Sequence, residues 1–204
     1  MKRQDEPKKN EKEALIRRAY LISACLVLFA IAVLSLAWVY AVKPLMKARR
    51  PWRVSSVTRL ADRTWELCLD PEDHKGLRYR PGHFAWISIG KPAVSLDENP
   101  FSIASAPADG GRLRFVIKEL GDFTNRLGQV TPGTRAWVDA PFGSLTLQRH
   151  DKAGGVALIA GGVGIAPMLS HLRQLDADKD PRPRVLFYAN RAEDQIACRE
   201  ELDQ

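Results

Sequence analysis

The stretch Gly155-Val156-Ala157-Leu158-Ile159-Ala160-Gly161-Gly162-Val163-Gly164-Ile165-Ala166-Pro167 decides the fold. Its first half is a continuous apolar run, the pattern of a strand in a parallel sheet, and an amphipathic segment from Ala166 to Leu175 follows the glycines. Gly161, Gly162 and Gly164 permit a tight turn and close backbone approach. Pro167 suits the first turn of a helix, where its missing N–H is not needed. Downstream, Arg184–Ala189 reads as a second strand and Ala192–Leu202 as a second helix, giving the order β-α-β-α. Two parallel strands with two helices cannot cover both faces of an open sheet. Residues 151–204 are therefore expected to form a partial, Rossmann-like α/β domain that is incomplete by itself.

Working back toward the N-terminus, the pattern changes. Short runs rich in β-branched and aromatic residues alternate with turn residues at Trp52–Leu60, Thr64–Leu69, Phe84–Ile89, Pro100–Ala104, Leu113–Lys118 and Arg135–Val138. Turns such as Pro81-Gly82 and Asp109-Gly110-Gly111 separate them, and one helix is expected at Phe123–Gln129. Residues 52–150 are expected to form an antiparallel β-barrel.

Ala19–Val42 is a run of 24 residues without a charge, long enough at about 1.5 Å per residue to cross a hydrocarbon core of roughly 30 Å. It reads as a single transmembrane helix, with Tyr20 at one end and Trp38 and Tyr40 at the other matching the interfacial aromatic belts. Residues 1–18 form a polar tail, expected to fray or be disordered. Residues 43–51 form a basic linker that Pro44 and Pro51 should keep from continuing the helix. Residues 1–55 carry twelve Lys and Arg against four Asp and Glu, whereas the remainder carries nineteen against twenty. The basic pI belongs to the tail and linker, so the partner it implies is a lipid bilayer with anionic headgroups and no nucleic acid. Basic residues flank both ends of the span, so charge alone does not orient it.

Cys25, Cys68 and Cys198 have no C-x-x-C spacing, which argues against a zinc or iron-sulfur site. His74, His83, His150 and His171 all fall outside the span, so the helix has no histidine to ligate a haem.

Five segments in fixed order carry a resemblance: Pro81-Gly82-His83-Phe84, Glu98-Asn99-Pro100-Phe101-Ser102-Ile103-Ala104-Ser105, Ile117-Lys118-Glu119-Leu120-Gly121-Asp122-Phe123-Thr124, Pro141-Phe142-Gly143, and the Gly161–Pro167 turn. Over residues 51–204 the chain resembles the ferredoxin-reductase-type FAD- and NAD(P)-binding oxidoreductases, in particular the branch fused to ferric-reductase-like or NADPH-oxidase-like membrane domains. The resemblance implies FAD and NAD(P)H as cofactors.

It also implies roles for single residues. Asn99, Pro100, Phe101, Ser102 and Ile103 would lie along the flavin, with Phe101 as a wall for the isoalloxazine and the Ser102 hydroxyl, the candidate catalytic group, near N5. Asn99 stands where relatives commonly carry His or Arg, which removes a cation-phosphate contact. Gly121, Asp122, Phe123 and Thr124 would open a short helix toward the FAD pyrophosphate, with Thr124 adding a hydroxyl and Asp122 serving either there or as a plain N-cap. Lys118 is either a second phosphate contact or a solvated strand lysine. Gly161, Gly162, Gly164 and Pro167 would receive the nicotinamide cofactor. Arg191 either meets a 2′-phosphate or is a surface arginine. His83 reads as a strand-edge residue.

The expected function is that of a single-pass membrane flavoprotein with a cytoplasmic flavin domain, passing electrons from NAD(P)H through FAD to haem, ferric iron or oxygen. The haem would come from a membrane subunit. A shortened, inactive homologue that serves as a membrane-tethered FAD-binding or interaction module is the alternative.

Overall fold

The computed structural model describes residues 5–95, 97–147 and 153–203; His150 and the expected domain boundary at 150/151 lie outside them. By internal contacts the chain divides into residues 1–46 and 47–204.

In the first unit, helix α1 spans Asp5–Ala37, so most of the expected polar tail is helical rather than frayed. Side chains from Leu15 to Val42 are exposed along its length, and the segment Leu15–Ala48 is long and apolar enough to cross a membrane. The helix does not stop at Lys43-Pro44. It widens into one π turn, Trp38–Val42, where the Lys43 N–H reaches back to the Trp38 carbonyl, and then continues as α2, Lys43–Ala48. Proline explains the widening: Pro44 has no N–H for the Tyr40 carbonyl and its ring crowds that position, so the turn opens instead of breaking.

The second unit begins with a six-stranded antiparallel sheet: β1 Trp52–Ala61, β2 Thr64–Pro71, β3 Phe84–Ile89, β4 Asn99–Ser102, β5 Leu113–Lys118 and β6 Arg135–Phe142, in the order β4-β3-β6-β1-β2-β5. Period-two alternation sends Leu67 and Leu69 of β2 and Leu113, Phe115 and Ile117 of β5 into one core, each at most 1% exposed. The sheet curls until its two edges touch. Ile103, just past β4, bridges Phe115 of β5. A single bridge among the described residues, in place of a ladder, leaves the expected antiparallel barrel unclosed. The helix expected at Phe123–Gln129 is two shorter pieces, α3 at Asp122–Asn125 and a 3-10 turn at Leu127–Gln129, interrupted at Arg126.

The α/β half consists of β7 Val156–Gly161, a 3-10 turn Gly162–Gly164, α4 Ile165–Ala177 and β8 Arg184–Ala189 parallel to β7. The last expected helix is also broken: a 3-10 turn at Glu193–Gln195 precedes α5 at Arg199–Leu202, with Cys198 left-handed (φ 57°) between them. One face of the two-stranded sheet packs on α4 through Val156, Leu158 and Leu175. The other is uncovered by any of the described residues, with Ile159 74% and Phe187 59% exposed.

The two halves share a second core. Val116 points away from the β-domain core and packs, with Ala104, against Ala160, Ile165, Ala166, Leu169 and Ala197. Burying Ile165 and Leu169 there contributes about 1.5–3 kcal/mol for each side chain. The start of α4 is thereby fixed against the outer face of β5.

Candidate functional site

Strand β4 lies at the sheet edge, pairing Phe84 with Ser102 and Ile87 with Asn99 across β3. An edge tolerates Pro100, whose missing N–H faces no neighbouring strand. Glu98, at its head, is ion-paired with Lys47. Phe101 is half-buried, and its ring lies nearly parallel to that of Phe123, with centroids 5.9 Å apart and planes at 28°. The first two motifs, separated by some twenty residues in sequence, are thus brought together ring to ring.

Within these motifs the residues separate by role. Ser102 is half-buried on β4. The Asn99 side-chain nitrogen is buried and has no hydrogen-bond partner among the described residues. Ile103 is fully buried in the β-domain core, so it belongs to packing and does not line a ligand site.

Thr124 bonds to its own loop. Its Oγ1 accepts from the N–H groups of Leu120 (2.8 Å) and Gly121 (2.9 Å) and donates to the Gly121 carbonyl (3.0 Å). A hydroxyl has one proton and two lone pairs, so all its capacity is spent on the loop's own backbone. Thr124 thereby braces its own loop. Asp122 and Gly121 are exposed, and an added Cβ at Gly121 would meet nothing within 4 Å.

At the carboxyl ends of β7 and β8 lies a cleft of about 580 Å³, lined by Arg63, Lys118, Leu120, Gly162, Asn190 and Arg191 among others. This is the end of a parallel sheet where open α/β folds take ligands. Gly162 is left-handed (φ +51°), and a Cβ added at Gly161, Gly162 or Gly164 would find open space within 4 Å. Pro167 is different: it is buried as the third residue of α4, so it shapes the helix start and presents no surface to a ligand. The Asn190 side-chain nitrogen is buried without a partner among the described residues. Lys118 reaches across from β5 and donates to Gln195 Oε1 at 3.1 Å.

Sequence reading missed Arg63, Trp65 and Glu119. Trp65 Nε1 donates to Glu119 at 2.7 Å, and Arg63 holds the same residue by its carboxylate (3.4 Å) and its carbonyl (3.2 Å). The Trp65 hydrogen bond, assisted by Arg63, keeps the Glu119 carboxyl below its ordinary range. No motif marks such a cluster, because Arg63 and Glu119 are 56 residues apart and meet only through β2–β5 pairing. His83 sits at the turn before β3, where its Nδ1 accepts from the Arg80 N–H at 3.1 Å, and burial lowers its pKa. Its role is in the turn.

Residues 53–153 match the FAD-binding domain family and residues 158–204 the oxidoreductase NAD-binding domain family. The chain belongs to the FAD- and NAD-binding oxidoreductases, and its cofactors are FAD and NAD(P)H. It is 28% identical over 141 residues to the probable dihydroorotate dehydrogenase B (NAD(+)), electron transfer subunit, of Thermococcus kodakarensis, covering 67% of this chain and 53% of that protein. It is 29% identical over 153 residues to the propane 2-monooxygenase reductase component of a Gordonia species, covering 74% and 43%. In fold it is similar to phthalate dioxygenase reductase, with a TM-score of 0.67 at 24% identity over 79% of this chain and 50% of that one. The chain spans about half the length of these relatives.

The residues present fit both groups. Asn99 and Asn190 each hold a buried amide donor without a partner among the described residues, one on β4 and one at the cleft beside β7 and β8, and the glycine turn leaves room for close backbone approach.

Proposed function

We propose that this chain is the membrane-anchored flavin unit of an electron-transfer reductase: NAD(P)H gives hydride to FAD, and the reduced flavin passes electrons to an acceptor such as haem, ferric iron or oxygen. The observation that carries the reading is the convergence of β4, the Lys118–Thr124 loop and the Gly161–Gly164 turn around the docked start of α4. Bound FAD supplies the two-electron acceptor. The chain supplies placement.

In this reading Phe101 walls the isoalloxazine, the Ser102 hydroxyl donates near N5 and the Asn99 amide donates to the flavin's polar edge. The loop N–H groups at Gly121–Phe123, with Asp122 as its first-turn residue and Thr124 as its brace, face the pyrophosphate. Lys118 holds the loop to Gln195 and lends positive charge. Gly161, Gly162 and Gly164 receive the nicotinamide nucleotide, and Arg191 meets a 2′-phosphate.

The helix Leu15–Ala48 anchors the unit in the bilayer, and Lys43, Arg49 and Arg50 meet anionic headgroups. The flavin domain faces the cytoplasm, where reduced nicotinamide nucleotides are held. A haem-bearing membrane subunit is the partner this reading favours. The relatives described as an electron transfer subunit and a reductase component support an acceptor on another protein.

One observation favours a second reading. The open face of β7 and β8, with Ile159 and Phe187 exposed, suits a tethered FAD-binding module. Full-length protein in detergent, loaded with FAD and mixed anaerobically with NADPH or NADH, separates the two. Bleaching of the flavin band supports the reductase. A flavin that stays oxidised supports the tethered binder.

A further inference from the structure

The middle of α4 is held to the segment just after β4 by two hydrogen bonds that no motif announces. Ser170 Oγ donates to the Ser105 carbonyl at 2.6 Å, and Arg173 Nη1 donates to the Ala104 carbonyl at 2.8 Å. Ser170 and Arg173 are three apart, so they share one face of the helix. Ala104, Ser105 and Ser170 are all fully buried.

Arg173 is itself gripped from behind. Its Nε and Nη2 donate to the two carboxylate oxygens of Glu201, each at 2.7 Å, and Glu66 of β2 lies 3.9 Å away; the side chain is only 11% exposed. A bidentate guanidinium with a fixed fork has little freedom left, which makes its third contact, to Ala104, geometrically determined. The Ser105 hydroxyl is tied in as well, to the Tyr79 hydroxyl at 2.8 Å and the Arg114 N–H at 3.1 Å.

The path between the two reacting centres is short. The turn ends at Gly164, where α4 begins, and Ser170 lies about 9 Å along the helix. On the other side, Ala104 follows Ser102 by about 7 Å of extended chain. We infer that Ser170 and Arg173 are positioning residues, which set the distance between the nicotinamide turn and the flavin strand by clamping α4 to the Ala104 and Ser105 carbonyls. The inference rests on the reductase reading above. Its physical basis is that hydride transfer depends on near-contact between donor and acceptor, so a shift of about 1 Å costs on the order of 100-fold in rate.

The test uses FAD-loaded full-length protein in detergent and compares the parent with Arg173→Met, Arg173→Lys and Ser170→Ala. Three quantities are read: flavin content, the bleaching rate at saturating NADPH or NADH, and the visible circular dichroism of the bound flavin. The expected result is full flavin content, bleaching slowed roughly 10- to 100-fold in Arg173→Met and several-fold in Ser170→Ala, partial recovery in Arg173→Lys, and an unchanged nucleotide KM. Dithionite should reduce every variant alike. Bleaching at the parent's rate in both Ser170→Ala and Arg173→Met overturns the clamp, as does slowing that merely follows flavin loss.

Should Arg173→Met fail to fold, Ser170→Ala decides alone. If the parent holds FAD and is never bleached, the reductase reading is overturned, and the clamp is then judged by circular dichroism. An altered flavin signal in the folded variants supports it, and superposable spectra overturn it.

Discussion

The β domain and the α/β half are built from similarly apolar strands yet end in opposite states. In the β domain, alternation on β2, β3 and β5 turns one set of side chains into a shared interior where Leu67, Leu69, Ile87 and Phe115 are fully buried. In the α/β half the same alternation on β7 and β8 buries Val156 and Leu158 and leaves Ile159, Val185 and Phe187 in the open. Hydrophobicity decides which residues seek burial, and the number of layers decides whether they find it. The α/β half owes its placement to what it borrows: the outer face of β5 and the carbonyls of Ala104 and Ser105.

The contrast predicts unequal responses to truncation. Phe115→Ala, at 0% exposure, should cost about 3–5 kcal/mol in denaturant unfolding of the full chain. A loss under 1 kcal/mol would mean that the β-domain interior is loosely packed.

Next in size is the loop brace. Thr124→Ala leaves two N–H groups without their acceptor and should lower stability by about 1 kcal/mol and weaken FAD binding several-fold, while Thr124→Ser keeps both. Fluorescence titration with FAD measures it. A binding loss equal in Ser and Ala variants would point to the methyl group and away from the hydroxyl.

The junction should also respond to pH. Burial lowers the pKa of His171, whose Nε2 is 3.0 Å from the Leu145 carbonyl, and the Arg173 hydrogen bonds lower that of Glu201. A depressed folded-state pKa means the unfolded chain takes up protons first. The stabilisation from His171 is therefore complete above the ordinary imidazole value of about 6.5 and is lost as pH falls below it; that from Glu201 goes lower, below the ordinary carboxyl value of about 4.3. Unfolding followed from pH 8 to 5 should show stability falling below about 6.5, and His171→Gln should flatten that slope.

The smallest effect belongs to the bare face. Ile159→Thr, at a position 74% exposed, should change stability by no more than about 0.5 kcal/mol. A cost above 2 kcal/mol would mean that something covers this face in solution.

Much of this was legible from the residues. The β-branched runs located all six strands because period-two alternation survives in sequence, and the glycine turn located the β7–α4 junction because strand, turn and helix are contiguous there. Local patterns failed where a distant partner intervened. The helix expected at Phe123–Gln129 breaks at Arg126, beside Gly128, which packs so closely on Trp65 that a Cβ would stand 2.6 Å from the ring. The three backbone partners of Thr124 carry no sequence signal of their own. The apolar run at Gly155–Ala160 has the pattern of burial on both faces, whereas Ile159 within it is 74% exposed. Ser170 and Arg173 carry no signature at all, since their acceptors are backbone carbonyls some 65 residues away.

The most direct measurement is a single-turnover one. FAD-loaded full-length protein is mixed without oxygen with saturating NADPH or NADH, once with hydrogen and once with deuterium at both C4 positions, and the flavin band is followed. If the α/β half delivers hydride to a flavin held on the β domain, the band bleaches and deuterium slows it. A band that persists, or that fades equally fast with either isotope, contradicts the account.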